Sequence, residues 1–347
     1  MSESVFLAAT AGCRARYTPV WFMRQAGRHL PEYGEVRGEG SILDAIRQPD
    51  VSAEITLQPV RRYGVDAAVV FSDIVVPVHA VGFGIDVTPG IGPVAERPLR
   101  SPADIDRLRP LEPGDVTYVT DTVALVRQEL PDEVTVLGFA GAPFTVASYL
   151  VEGRPSRTYE HTKAMMHSDA PSWHRLMDRL TESAATFISL QLDSGAGAFQ
   201  LFDSWAGALS RPDYDTFVQP HTTRLFAELA ARHPDAPGIH FGVGCDHLLE
   251  SFATTGAGVI GLDWRTGIAD ARRRLGADLA VQGNLDPALV LAGEKVALAG
   301  ARAVLDDNAG HPAHVFNLGH GVNPGTDPGV LSAVVDLVHA ATAERGE

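Results

Sequence analysis

Lysine is scarce in this chain of 347 residues. Only Lys163 and Lys295 are lysines among the 28 basic residues. Both fall in segments with a helical pattern rather than at the end of a predicted strand. Schiff-base and pyridoxal-phosphate enzymes need a lysine amine at the site, so the sequence argues against both classes.

Cysteine is equally rare. Cys13 and Cys245 cannot build a disulfide framework, and such scarcity fits a reducing compartment. The chain starts without a basic segment followed by an apolar one, so we expect no signal peptide and a cytoplasmic protein. The longest apolar stretch, 67–85, is interrupted by Asp73 and Pro77 and predicts no membrane span.

Positive charge is in deficit overall. Lys and Arg number 28 against 43 Asp and Glu, which gives a net charge of −15 and a pI of about 5.3. Nucleic-acid binding needs a basic face, so no nucleic-acid partner is expected. The sequence also lacks a Walker motif, H-E-x-x-H, paired C-x-x-C, and a G-x-S-x-G elbow after a strand. We therefore predict an acid–base site that uses no metal and no organic cofactor.

What the chain has is a regular alternation of apolar runs and amphipathic segments. Near-continuous apolar runs of this length are typical of parallel strands buried on both faces. This pattern predicts one (β/α)8 TIM barrel domain over 1–347, with residues 1–18 as an N-terminal extension packed on the barrel. A doubly wound open sheet is the alternative, weakened because no G-x-G-x-x-G follows a first strand. The eight runs are 20–23, 67–72, 134–139, 198–202, 238–241, 258–262, 279–282 and 314–318.

Helix starts are marked by a capping residue before proline, as in Asp286-Pro287 and Asp327-Pro328. Ser101-Pro102 has the same form. Apolar residues recur at helical spacing from Trp173 and again towards the chain end.

Polar and glycine-rich residues follow the apolar runs. In a barrel the carboxyl ends of the strands meet at one mouth, where barrel enzymes keep their sites. Arg24 and Arg28 flank a Gln25-Ala26-Gly27 turn after the first run, and Arg37 lies nine residues further on. Guanidinium groups match carboxylates two hydrogen bonds at a time, so this locally basic segment predicts an anion-binding site.

Four further residues complete the candidate site. Asp73 ends an apolar run, where a carboxylate is costly to bury without partners. Tyr149 follows the third run, Ser204 the fourth and His320 the eighth. The glycines around His320, together with Gly325, leave open a phosphate cradle as a competing interpretation.

Several of these segments together resemble one family. The segment 19–28, PVWFMRQAGR, is similar to the N-terminal signature of the uroporphyrinogen decarboxylases, and 138–145, GFAGAPFT, resembles their second signature. The pieces at 71–74, 202–207, 283–287 and 317–321 match in the same order. The resemblance spans essentially the whole chain. One departure is His29, since several relatives have tyrosine after the second arginine.

The resemblance implies a homodimeric (β/α)8 barrel that needs no cofactor. It implies removal of the carboxyl groups of the four acetate arms of uroporphyrinogen III, giving coproporphyrinogen III. It implies that Asp73 takes the central acidic role as well as contacting substrate. The remaining substrate contacts that it implies are Arg24, Gln25, Ala26, Gly27, Arg28, Arg37, Tyr149, Ser204 and His320.

Two other functions stay open at this point. Corrinoid-linked methyltransferases share the fold and use a zinc–thiolate site, but here His240 and Cys245 lie five residues apart with no third soft ligand evident. A non-catalytic binder of tetrapyrroles or polycarboxylates would keep the arginines without needing Asp73.

Overall fold

The computed structural model describes residues 4–276 and 279–343. Within them, seven parallel strands form one curved sheet in the order β1-β4-β5-β6-β7-β8-β9, and β2 and β3 form a separate antiparallel hairpin that the sequence analysis did not predict. The strands are β1 (Ala67–Val69), β2 (Ile85–Thr88), β3 (Gly92–Ala95), β4 (Thr135–Gly141), β5 (Ala198–Asp203), β6 (Gly238–Gly242), β7 (Val259–Gly261), β8 (Ala280–Gln282) and β9 (His314–Val315).

Helices cover the outside of this sheet. They are α1 (Val5–Thr10), α2 (Pro31–Arg37), α3 (Ile42–Ile46), α4 (Pro49–Tyr63), α5 (Val76–Ala80), α6 (Thr117–Glu129), α7 (Pro143–Glu152), α8 (Glu160–Ser168), α9 (Ala170–Asp193), α10 (Arg211–Phe217), α11 (Gln219–Arg232), α12 (Leu249–Ala253), α13 (Ile268–Leu275), α14 (Pro287–Leu291), α15 (Glu294–Asn308) and α16 (Pro328–Thr342). Short 3-10 helices occupy Pro102–Arg107, Pro113–Asp115, Ala206–Ala208 and Asp246–Leu248.

The segment around Val20 closes the sheet into a barrel. Phe316 after β9 donates its backbone N–H to Pro19 O at 2.8 Å, and Asp66 before β1 donates to Val20 O at 2.8 Å. The predicted barrel is therefore confirmed, but its first strand is reduced to a single paired residue, Val20 opposite Phe316. Strand pairing stops there because side chains bind the next backbone groups, as with Met23 N, which donates to Asn317 Oδ1 at 3.0 Å.

Two of the three predicted helix starts are confirmed, and the third begins a 3-10 helix. Asp286 caps α14 through Ala288 N (2.9 Å), and Asp327 caps α16 through Gly329 N (2.8 Å). The periodic segment from Trp173 lies in α9. Ser101-Pro102 begins a 3-10 helix rather than an α-helix.

Ser4 and helix α1 lie against the barrel at the end opposite the mouth. The Ser4 hydroxyl is hydrogen bonded to that of Thr135, the first residue of β4, at 2.7 Å. Helix α1 also contacts β8 and β9. Over the described ranges, no helix combines the length and the apolar character needed to cross a bilayer.

Candidate active site at the barrel mouth

The turn after the closing segment places Arg24 at the mouth. Arg24 has a left-handed backbone (φ 60°), a conformation that is unfavourable for a residue with a side chain. The loop after β9 holds it there, because Val322 N donates to Met23 O at 2.8 Å and Gly321 packs directly on the Arg24 side chain. The loops after the first and the last strand of the barrel therefore position this guanidinium together.

The buried side chain of Gln25 stabilises the same turn by hydrogen bonds. This side chain is fully buried, accepts from Phe22 N at 3.0 Å and donates to Ala67 O of β1 at 3.0 Å. The backbone N–H groups of Ala26 and Gly27 have no acceptor among the described residues. The turn thus leaves two main-chain donors without an acceptor in the protein, whereas the Gln25 amide binds the wall of the barrel.

Asp73, Arg24 and Tyr149 lie close enough together for the charges of Asp73 and Arg24 to shift the pKa of the Tyr149 hydroxyl. Asp73 is half-buried and accepts one hydrogen bond, from Val75 N at 3.0 Å. Burial raises the pKa of the Asp73 carboxyl, while the Val75 hydrogen bond and the Arg24 charge act in the opposite direction. The carboxylate is consequently short of partners within the protein and still open to the cleft.

Tyr149 lies in the second turn of α7 and is buried. Burial is the main reason that the pKa of its hydroxyl rises to about 12; contact with Trp205 and the Arg24 charge lower it, and Asp73 raises it. Its ring meets Trp205 edge-on at 6.0 Å between centroids. Tyr149 is therefore a neutral hydrogen-bond donor near neutral pH.

His320 is also neutral. Burial, with the charge of Arg24, lowers its pKa to about 4. Its Nδ1 accepts the backbone N–H of Gly321 at 2.6 Å, so the proton of the neutral ring lies on Nε2. This tautomer turns the free edge of the ring into a donor.

Arg28 and Arg37 form a second basic group, around Tyr33. Both guanidinium charges lower the pKa of the Tyr33 hydroxyl, against burial, which raises it. Arg28 is exposed, and Arg37 ends α2 with Nη2 donating to Gly40 O at 2.6 Å. Tyr33 packs edge-on against Phe71, just before Asp73, which links this group to the first.

The loop carrying Ser204 is held by its neighbours. The Thr145 hydroxyl donates to Asp203 Oδ1 at 3.0 Å and accepts from Trp205 N at 3.2 Å. Ser204 lies between these two anchored residues and is half-buried. Helix α7 therefore supports both Tyr149 and Ser204.

Aromatic rings form the floor of the mouth, a feature that sequence reasoning missed. Phe199 stacks on Phe226 of α11 and faces outward, so Phe202 of the same strand faces inward by alternation. The ring of Phe202 meets Phe139 edge-on at 5.4 Å and Phe241 at 6.0 Å. The signal available in the sequence was a phenylalanine near the end of each of three successive strands.

Known proteins are similar to this chain over nearly its whole length. The family model described as uroporphyrinogen decarboxylase matches residues 1–341. A uroporphyrinogen decarboxylase of Salinispora tropica is 52% identical over 342 residues, covering 99% of this chain and 91% of the relative. One of Streptomyces coelicolor is 52% identical over 340 residues, covering 98% and 95%.

The chain belongs to the uroporphyrinogen decarboxylase family. The similarity reaches across the whole described barrel, including every segment on which the resemblance rested.

Solved structures at low identity share the fold. A methyltransferase from Methanosarcina mazei has a TM-score of 0.76 at 17% identity, covering 97% of this chain and 98% of that one. A putative vitamin-B12-independent methionine synthase from Listeria monocytogenes has a TM-score of 0.56 at 12% identity, covering 96% and 98%. At such identities these likenesses concern the barrel alone.

In the described part of the chain, His240 and Cys245 do not form a zinc–thiolate site. His240 stacks flat on Phe252 of α12 with centroids 3.9 Å apart, and the Cys245 thiol donates to Val243 O at 3.5 Å. Residues 4–276 and 279–343 contain no cluster of three or more His, Cys, Asp or Glu side chains suited to a metal ion.

The glycines around His320 have packing roles. An added Cβ at Gly319 would overlap the backbone nitrogen of Trp264, and one at Gly321 would overlap the Arg24 side chain. These glycines allow close contact between loops, which weakens the interpretation of this loop as an open phosphate cradle.

Proposed function

We propose that this protein is a uroporphyrinogen decarboxylase, which converts the four acetate arms of uroporphyrinogen III to methyl groups and yields coproporphyrinogen III. The observation that carries the proposal is the grouping of Asp73, Arg24, Tyr149 and His320 at one mouth, above an aromatic floor, in a chain about half identical to enzymes of that name.

The basic residues have the chemistry needed to hold the substrate. Arg24, Arg28 and Arg37 bind its carboxylates, and the Gln25-Ala26-Gly27 turn adds backbone N–H donors. Binding in this way brings the macrocycle to Asp73 in a defined orientation. The neutral donors are the Tyr149 hydroxyl, the Ser204 hydroxyl and His320 Nε2–H.

The pyrrole ring itself takes up the electrons released by decarboxylation. Protonation of a ring carbon gives an iminium-like cation. The electron pair of the breaking C–CO2 bond then neutralises this cation as CO2 leaves. Protonation of the exocyclic carbon and loss of the ring proton complete the methyl group. The net change is one proton taken up and one CO2 released for each arm.

Asp73 acts by stabilising the cation. Its carboxylate accepts from the pyrrole N–H groups, which become more acidic and more positive when the ring is protonated. Because the ring gains positive charge on the way to the transition state, this interaction is stronger there than in the ground state, and that difference is what accelerates the reaction. Asp73 is available for it because the protein supplies its carboxylate with one hydrogen bond.

Incubation of purified protein with uroporphyrinogen III, followed by chromatography of the products, tests this proposal. We expect seven-, six- and five-carboxyl intermediates followed by the four-carboxyl product. Binding of the tetrapyrrole without any conversion would instead support the non-catalytic binder and overturn the enzyme assignment.

We also propose that the whole chain acts as one domain in a cytoplasmic homodimer. Both cysteines lack a disulfide partner, which suits a reducing compartment, and the start of the chain is bonded to β4. Sedimentation equilibrium, limited proteolysis and cell fractionation test these three points. A monomeric mass, an early cut that releases a folded fragment, or recovery outside the cytoplasm would each contradict one of them.

A further inference from the structure

The loop after β7 brings to the mouth an arginine that the sequence analysis did not single out. Arg265 lies two residues after Asp263, in the turn between β7 and α13. Since β7 runs parallel to the other strands of the sheet, this turn opens on the same side as Arg24 and His320. Gly319 packs against the backbone of Trp264, so the loops after β7 and β9 share one rim.

Three sets of contacts hold Arg265 in place. Buried Asp263 accepts hydrogen bonds from Arg265 N at 2.9 Å and Arg265 Nη1 at 2.6 Å. The guanidinium lies over the ring of Trp264, 3.9 Å from its centroid. The Asn284 amide donates to the carbonyls of Asp263 (2.9 Å) and Thr266 (2.5 Å), on either side of the turn. A charge that is already ordered loses little more freedom when a ligand binds.

Arg265 still has donors to offer. Half of its side chain (50%) is exposed, and in the described part of the chain no acceptor is bonded to Nε or Nη2. Asp246, another carboxylate near this turn, is bonded to Arg274 at 2.7 Å and to Thr266 at 3.0 Å. A forked guanidinium with free N–H groups suits a carboxylate better than any other common anion except phosphate.

The charge of Arg265 reaches the cleft. Burial is the main cause of the low pKa of His320, but Arg24 and Arg265 both contribute in the same direction, and Asp263 opposes them. Arg265 and Arg24 therefore both lie close enough to His320 for their charges to act on its ring.

We propose that Arg265 binds a carboxylate arm of the tetrapyrrole at the rim of the mouth, as a fourth arginine beside Arg24, Arg28 and Arg37. This inference rests on the proposed function, which supplies a substrate with four acetate and four propionate arms. Three arginines leave several of these arms without a cationic partner, in a protein whose net charge of −15 repels the ligand. A pre-ordered charge at the entrance lowers that repulsion.

Kinetics of Arg265→Gln test the role of this residue. Arg273→Gln is the matched control, since Arg273 is also exposed and bonded to an aspartate, Asp270, but lies near the far end of α13. We expect KM for uroporphyrinogen to rise about three- to tenfold in Arg265→Gln with kcat within twofold, as expected for loss of uniform binding. Arg265→Lys should recover part of the affinity, and Arg273→Gln should match the parent protein.

Equilibrium binding of stable porphyrins identifies the arm and needs no turnover. Weaker binding of both uroporphyrin (eight carboxylates) and coproporphyrin (four) by Arg265→Gln assigns a propionate; weaker binding of uroporphyrin alone assigns an acetate. Unchanged affinity for both, or a fall in kcat at unchanged KM, overturns the proposal. A protein that binds porphyrins through Arg265 but releases no CO2 would refute the proposed enzyme while leaving this site standing.

Discussion

Asp73 and Asp203 both follow parallel strands at the mouth of the barrel, but their surroundings differ. Asp203 is fully buried at the end of β5, where Oδ1 accepts from Thr145 and Oδ2 lies 3.6 Å from His240 Nε2, too far for a hydrogen bond. Asp73 is half-buried beyond β1 and has one backbone donor.

The difference teaches how to tell a structural carboxylate from a functional one. A carboxylate that is fully buried against other protein groups cannot reach a ligand, so it is part of the scaffold. A carboxylate that the protein partly desolvates and leaves short of donors raises the free energy of the folded state, unless a ligand supplies the missing hydrogen bonds. Asp203 is of the first kind, and the proposed function assigns Asp73 to the second.

The largest expected effect is on turnover in Asp73→Asn. The amide keeps the shape of the side chain and removes the charge, so we expect kcat to fall about 100- to 1,000-fold, with KM within about threefold. Steady-state rates of CO2 release measure both constants. Near-normal turnover would remove Asp73 from the central role.

Stability should respond differently to the substitutions Asp203→Asn and Asp73→Asn. Asp203→Asn can keep the Thr145 hydrogen bond through its amide oxygen but buries an NH2 group in place of Oδ2, and we expect the free energy of unfolding at pH 7 to fall by about 1–3 kcal/mol. Because the folded-state pKa of Asp73 is raised, its ionised form opposes folding above that pKa, so Asp73→Asn should be as stable as the parent or more so. Urea unfolding at pH 7 measures both. Equal losses of unfolding free energy in the two variants would contradict the distinction between the two carboxylates.

A smaller effect is expected from Gly321→Ala, which disturbs a neighbour of Asp73 without touching either carboxylate. The added methyl overlaps the Arg24 side chain, so we expect KM to rise about three- to tenfold. Gly325→Ala on the same loop is the control, because its added Cβ meets its nearest atoms at 3.5 Å. A similar rise in KM for both variants would mean that the loop, rather than Arg24, was displaced.

The smallest effect concerns the pH profile of His320→Gln. With a pKa of about 4, His320 is neutral from pH 5.5 to 8, so the variant should lose activity by the same factor, about two- to fivefold, across that range. A ratio of kcat/KM values that changes with a midpoint between pH 6 and 7 would show that His320 titrates there.

The same shift affects stability in a defined direction. The unfolded histidine takes up its proton near pH 6.5 and the folded one only near pH 4, so His320 lowers the free energy of unfolding as pH falls through that window. The slope of unfolding free energy against pH should be smaller in His320→Gln than in the parent.

Much of the fold could be predicted from local pattern. Seven of the eight apolar runs contain strands of the sheet, because buried parallel strands need continuous apolar residues. The exception is the run at 20–23, where side chains of Gln25 and Asn317 replace strand partners for Phe22 and Met23. Those replacements come from residues up to 294 positions away along the chain, which no local pattern records.

The sequence by itself determined the alternation that makes a barrel, the family, and which residues follow the strands. Only the tertiary structure decided what those residues do. It placed the Gln25 amide in the wall, buried Asp203 completely beside Thr145 and left Asp73 half-buried, and set Arg265 on the rim through Asn284. The physical reason is that a polar group's role depends on which donors and charges surround it, and those come from strands and loops far apart in the chain.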